Sequence, residues 1–252
     1  ERNFSSVEIV TDDYRELLAS RAIDAIYCAV PHNLHEQFYI DVINSGKHLL
    51  GEKPFGIDRA ANENILKTVK ANPDVIVRCS SEFPYFPACQ QLVRWLEEGK
   101  YGQLIEVRAG FHHSSDMDLS KPINWKRMVE INGEYGCMGD LGMHTLHIPF
   151  RMGWKPLSVY ADLQKIADTR PDGKGNNVPC KTWDNAVLTI KSTDPRTGKL
   201  FSMVLEMKRM APGATNSWFI EVYGTESSVK FSTHDPKAFE YLINGRDQGW
   251  TR

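Results

Sequence analysis

The sequence is poor in features that announce a specialised chain. No apolar run approaches the roughly 20 residues that span a bilayer, so it carries no membrane-helix signal. No block of Lys or Arg is present. The 30 basic and 32 acidic residues nearly cancel, which argues against nucleic acid or an anionic membrane surface as partner. The five cysteines (Cys28, Cys79, Cys89, Cys137 and Cys180) are odd in number and lack C-x-x-C spacing. They read as free thiols in a reducing, cytoplasmic setting, not as a disulfide framework or zinc ribbon. A G-x-S-x-G nucleophile elbow and a G-x-G-x-x-G phosphate turn are both missing. Internal repeats and low-complexity tracts are missing too. What remains is ordinary for a soluble globular protein: 252 residues, 41% hydrophobic and 25% charged. That length suits one large domain or two smaller ones.

The apolar pattern divides the chain in two. Thr11 and Asp12 are placed to cap a short helix carrying Tyr14, Leu17 and Leu18. Residues 23–30 form a short apolar run stopped by Pro31, read as a buried strand. A helix follows over 33–45, closed by Gly46. A second strand starts at His48, a helix capped by Asp58 runs to about 71, and a third strand occupies 74–79. Alternation of this kind predicts βαβ crossovers and a parallel sheet. After residue 83 the texture changes. One amphipathic helix over about 87–98 precedes strand-like runs at 104–111, 157–163, 186–190, 201–207, 218–223 and 228–231. A helix is expected near 140–151, a hairpin loop at 194–198 and an exposed loop over 168–180. The second half is therefore an α+β domain with a large, mostly antiparallel sheet. Over 104–111, Leu104, Glu106 and Arg108 are expected on one face and Ile105, Val107 and Ala109 on the other.

Few residue groups point to chemistry. On a helix, Asp140 and His144 stand one turn apart, with His147 three residues further along the same face. A carboxylate beside an imidazole suits a general base. The same spacing is also that of a divalent-metal site, or of a helix that packs Met143 and Leu146 and leaves its polar residues in solvent. Glu52-Lys53-Pro54 follows a strand of the parallel half, where open α/β sheets bind ligands; a solvated turn is the alternative. Pro31-His32-Asn33-Leu34-His35 occupies the equivalent place, where Asn33 reads as a helix N-cap and His35 as a first-turn surface residue. Trp125-Lys126-Arg127 lines a pocket or decorates a loop. His112 and His113 point to opposite faces of a strand and make a poor metal pair.

Together these segments resemble the glucose–fructose oxidoreductase/inositol dehydrogenase (Gfo/Idh/MocA) family of nicotinamide-dependent sugar and polyol oxidoreductases. The matching residues run in the family's order. They are Asp12 to Leu18, Ile23 to Ile26 with Ala29 to His35, Gly46 to Pro54, Gly139 to His144, and Tyr223 to Glu226. The resemblance implies that residues 1–83 are the later part of a Rossmann-like dinucleotide-binding domain, and 84–252 the substrate domain. It implies NAD or NADP as cofactor, a sugar, polyol or related carbinol as substrate, no metal, and a homo-oligomer formed through the open sheet face. Lys53, Asp140 and His144 become the catalytic group. His144 takes the hydroxyl proton, Lys53 hydrogen-bonds that hydroxyl, and Asp140 orients substrate or imidazole. Ala29, Pro31, Asn33, His35, Glu52 and Lys53 would line the cofactor; Trp125, Lys126 and His147 would meet the substrate. The family's opening strand and glycine-rich turn are not found here, and relatives continue beyond residue 231, so an internal fragment is expected. Two other classes compete: a metal-dependent hydrolase or isomerase using Asp140, His144 and His147, and a non-catalytic sugar-binding module.

Overall fold

A computed structural model describes residues 6–252, which form two compact units meeting at Ser80 and Ser81. The first unit runs α1 (Tyr14–Ala19), β1 (Ala25–Cys28), α2 (His35–Asn44), β2 (His48–Gly51), α3 (Arg59–Ala71) and β3 (Val77–Cys79). Its strands lie parallel in the order β1-β2-β3. Asp58 caps α3, its carboxylate accepting from the Ala61 N–H at 2.8 Å, and Gly46 (φ +78°) ends α2. The cap of α1 differs from expectation by one residue. Asp13 accepts from the Arg15 N–H, while the Thr11 hydroxyl accepts from the Asp13 N–H and shapes the turn before the helix. The run 23–30 yields only four strand residues and is buried on one face. Cys28 is covered, whereas Tyr27 is 60% exposed, because the helical side chains pack on a single face of the sheet. That core gathers Cys28, Tyr39, Val42, Ile43, Leu49 and Ile65.

The second unit contains α4 (Pro87–Glu97), β4 (Leu104–His112), α5 (Val129–Asn132), α6 (Cys137–Arg151) and β5 (Pro156–Gln164). After these come β6 (Thr169–Pro171), β7 (Asn177–Pro179), β8 (Asn185–Thr193), β9 (Leu200–Lys208), β10 (Ser217–Gly224), β11 (Ser227–Ser232) and β12 (Glu240–Ile243). Seven of the strands form one sheet ordered β12-β11-β10-β4-β9-β8-β5, antiparallel throughout except where β4 meets β9. The fold is thus a three-stranded, Rossmann-like parallel sheet followed by a large, mostly antiparallel one. Helices α4 and α6 pack on one face over a core that includes the fully buried Trp154 and Trp218.

Two details depart from the sequence reading. The stretch 168–180 is not a plain loop but holds the β6–β7 hairpin. The alternation in β4 also fails at its start: Leu104 is buried and Ile105 exposed. Tyr223 pairs with Glu106 and Gly224 with Leu104, leaving Ile105 as the extra residue of a β-bulge that shifts the phase. Among the described residues no helix is long and apolar enough to cross a membrane.

Candidate active site

Helix α6 begins at Gly136, whose φ of +56° and tight seat against Trp183 admit no side chain; a Cβ there would lie 2.6 Å from the Trp183 nitrogen. One turn on, Asp140 is 2% exposed, and His144 another turn later is 4% exposed. This removes the reading in which α6 turns its polar residues to solvent. Asp140, His144 and Thr145 face inward, while Met143 and Leu146 are only half-buried. The His144 ring is held firmly. Its Nδ1 lies 3.3 Å from Ser81 Oγ, and it meets the Phe83 and Phe111 rings edge-on at 4.9 and 5.2 Å. Its backbone carbonyl accepts from the Trp218 indole at 3.0 Å.

Asp140 is an anchored anion. Its Oδ2 accepts from Arg209 Nη2 at 2.5 Å and from Lys126 Nζ at 3.3 Å. Behind it lies a buried ionic chain. Asp116 accepts from the fully buried Arg127 at 2.7 Å, and Arg127 also pairs with Asp184. The second Asp184 oxygen accepts from the backbone N–H groups of Ile166 and Ala167. His147 is half-buried near the Tyr85 ring; burial, with Arg151 adding, pushes its pKa down. Trp125 and Lys126 line a cavity of about 330 Å³ together with Asp140 and Arg209. His144 and His147 are not part of that lining. Among the described residues no three His, Cys, Asp or Glu side chains are grouped to hold a metal ion. The Asp140 carboxylate is directed at two cations, Arg209 and Lys126.

In the first unit the loops after β1 and β2 are tied by His35. It is not the surface residue the sequence suggested. Fully buried, it places Nδ1 at 2.6 Å from the Pro54 carbonyl and Nε2 at 2.9 Å from that of Val30, and stacks on Tyr39 at 4.8 Å. The Tyr39 hydroxyl donates to the Glu52 carbonyl at 2.6 Å, and that of Tyr27 to the Glu52 carboxylate at 2.6 Å. Glu52 and Lys53 are half-buried, and the Lys53–Pro54 peptide is cis. Ala29, Pro31 and Asn33 are exposed on the neighbouring loop. Asn33 is not an N-cap, because a single 3₁₀ turn over His32–Leu34 precedes α2 and no side chain caps either element. None of the five cysteines is in a disulfide, and burial raises the thiol pKa of Cys28 to about 11 and those of Cys79, Cys89 and Cys137 to about 12.

Ser81, Asp116, Asp184 and Arg209 escaped the sequence reading. A lone Arg after Lys208 looks like a solvated strand end; the available signal was a charge falling one residue past an apolar alternation.

Two family matches cover most of the chain. Residues 2–79 match the Gfo/Idh/MocA oxidoreductase family, NAD-binding Rossmann fold, and residues 89–230 match the GFO/IDH/MocA C-terminal domain. The chain belongs to the Gfo/Idh/MocA family. Among curated relatives of this family member, levoglucosan dehydrogenase of Pseudarthrobacter phenanthrenivorans is 23% identical over 88% of this chain and 58% of its own length. The scyllo-inositol 2-dehydrogenase (NADP(+)) of Bacillus subtilis is 26% identical over 70% of this chain and 53% of its own. The chain thus spans little more than half the length of these two relatives. Among solved structures, an oxidoreductase domain protein from Kribbella flavida superposes with a TM-score of 0.87 at 24% identity, covering 95% of this chain and 64% of that one. Levoglucosan dehydrogenase in complex with NADH and L-sorbose gives 0.85 at 22%, with 95% and 63% covered. These superpositions establish the shared fold.

Proposed function

We propose that the chain serves an NAD(P)-dependent oxidoreductase acting on a CH–OH group of a sugar, polyol or related carbinol. One observation carries the reading: a buried Asp140–His144 pair one turn apart on α6, its imidazole fixed by Ser81 and its carboxylate by Arg209. Family membership and relatives named as sugar and polyol dehydrogenases support it.

The first unit suits the nicotinamide nucleoside half of the cofactor. Exposed Ala29, Pro31 and Asn33 offer open backbone at a strand's carboxyl end; Glu52 offers a carboxylate acceptor, Lys53 a donor, and His35 braces both loops. Bound there, the dinucleotide supplies a hydride acceptor at nicotinamide C4. With Nδ1–H donated to Ser81, His144 takes the substrate hydroxyl proton on Nε2. Lys53 hydrogen-bonds that hydroxyl, and Asp140 orients the substrate. Trp125, Lys126 and His147 meet the rest of the molecule. In this reading 1–83 belongs to the cofactor domain and 84–252 to the substrate domain. The exposed residues of β5, Leu157, Val159 and Tyr160 among them, suit a homo-oligomer through the open sheet. Five cysteines outside any disulfide suit a reducing, cytoplasmic setting.

The test is turnover on a polyol and sugar panel, read by reduced-nicotinamide absorbance. His144→Ala and Lys53→Ala should each lower kcat by about 10²–10⁴-fold with unchanged circular dichroism. Wild-type rates in both would remove them from the mechanism. Sugar binding without turnover, with either nucleotide present, would favour a binding module instead.

A further inference from the structure

We propose that the cavity beside Asp140 takes an anionic sugar derivative, a polyhydroxylated carboxylate of the aldonate or uronate type, in preference to a neutral polyol. The proposal deepens the oxidoreductase reading and rests on it for the site's purpose. The cavity, about 330 Å³, lies wholly within the second unit and is near the lower bound of small-molecule sites, which suits one monosaccharide-sized ligand.

Charge decides the class. Lys121, Lys126 and Arg209 line the cavity against two carboxylates, Asp116 and Asp140. Both carboxylates are already engaged. A single Asp140 oxygen receives Arg209 at 2.5 Å and Lys126 at 3.3 Å, so two cations share one acceptor atom. Asp116 gives its close contact, 2.7 Å, to the buried Arg127 and stands 3.9 Å from Arg209. Arg209 is 4% exposed, and among the described residues its Nε–H meets no acceptor. A guanidinium buried to this degree is stabilised by nearby negative charge beyond a shared carboxylate oxygen. Lys126 is the accessible cation of the site: its side chain is 38% exposed at the cavity wall, where an ammonium can donate to a bound carboxylate. The Trp125 ring beside it, 5.6 Å from Lys126 Nζ, offers an apolar face to sugar C–H groups.

Calorimetric titration of the 252-residue chain without nucleotide tests this with matched ligands, D-gluconate against D-glucitol and D-glucose 6-phosphate against D-glucose. Gluconate should bind about tenfold or more tightly than glucitol, the difference expected of one charge-assisted hydrogen bond. Lys126→Gln should erase most of that preference, and Arg209→Gln should do the same where it folds. Equal or tighter glucitol binding, no gluconate binding, or a preference that survives Lys126→Gln overturns the proposal. A phosphate preference without a carboxylate preference overturns it too. Because no nucleotide or turnover enters the measurement, failure here leaves the oxidoreductase reading standing, and failure of turnover leaves the binding preference measurable.

Discussion

Glu206, on β9, holds its carboxylate among Lys208, Arg108 at 3.4 Å and His112 at 3.4 Å, with its side chain 12% exposed. The neighbouring His112, with Lys208 adding, lowers its pKa from the ordinary 4.5 to about 2 against the opposing effect of burial. A depressed carboxylate pKa stabilises the fold above the unfolded value, and that contribution is lost as pH falls through the folded one. Urea midpoints should therefore drop between about pH 4.5 and 2, by on the order of 2–3 kcal/mol in unfolding free energy. Glu206→Gln should flatten that part of the profile; an unchanged slope would show that Glu206 is not the group responsible. At this scale the sequence spoke unevenly. Asp140 and His144 were legible because helical spacing joins them. Arg209 and Ser81 were not, because strand order and chain reversal bring them to α6 from 69 and 63 residues away.

The elements were more legible than their ends. Apolar periodicity located α4, α6 and the six longer strands of the second unit; all of these but β5 contribute buried side chains to the core. The β6–β7 hairpin escaped because its strands are three residues long and polar, and β12 because four residues are too few to show a period. Gly133, Gly136, Gly139 and Gly142 recur every three residues, yet their roles differ. Gly136 has a left-handed φ and no room for a Cβ, so Gly136→Ala must displace Trp183 or unwind the first turn of α6. We expect a stability loss on the order of 1–3 kcal/mol, and with it weaker holding of Asp140 one turn away. Gly139 lies inside the helix with its nearest neighbour at an ordinary 3.6 Å. Gly139→Ala should be neutral or stabilise by about 0.5–1 kcal/mol. Thermal denaturation of the two variants side by side checks both; equal losses would show that helix propensity, not the Gly136 turn, governs this end of α6.

At the scale of the whole molecule, the division into two units has an optical consequence. All six tryptophans, Trp95, Trp125, Trp154, Trp183, Trp218 and Trp250, lie after Ser80. Tryptophan fluorescence therefore reports the second unit alone. Helical circular dichroism reports both, because α1, α2 and α3 contain about half of the α-helical residues. The cores are unequal: among the described residues, seven buried apolar side chains lie in the first unit against twenty-nine in the second. Because burial of apolar surface is the main favourable contribution to folding, the smaller core should fail first. Urea titration should then give two transitions in far-ultraviolet dichroism, the earlier one silent in tryptophan fluorescence and the later one shared. A nucleotide bound through the loops after β1 and β2 should move the earlier transition to higher urea. A ligand in the cavity beside Asp140 should instead move the later one. Coincident transitions with both probes would show that the chain unfolds as one cooperative body, and the separate ligand responses would then merge into one.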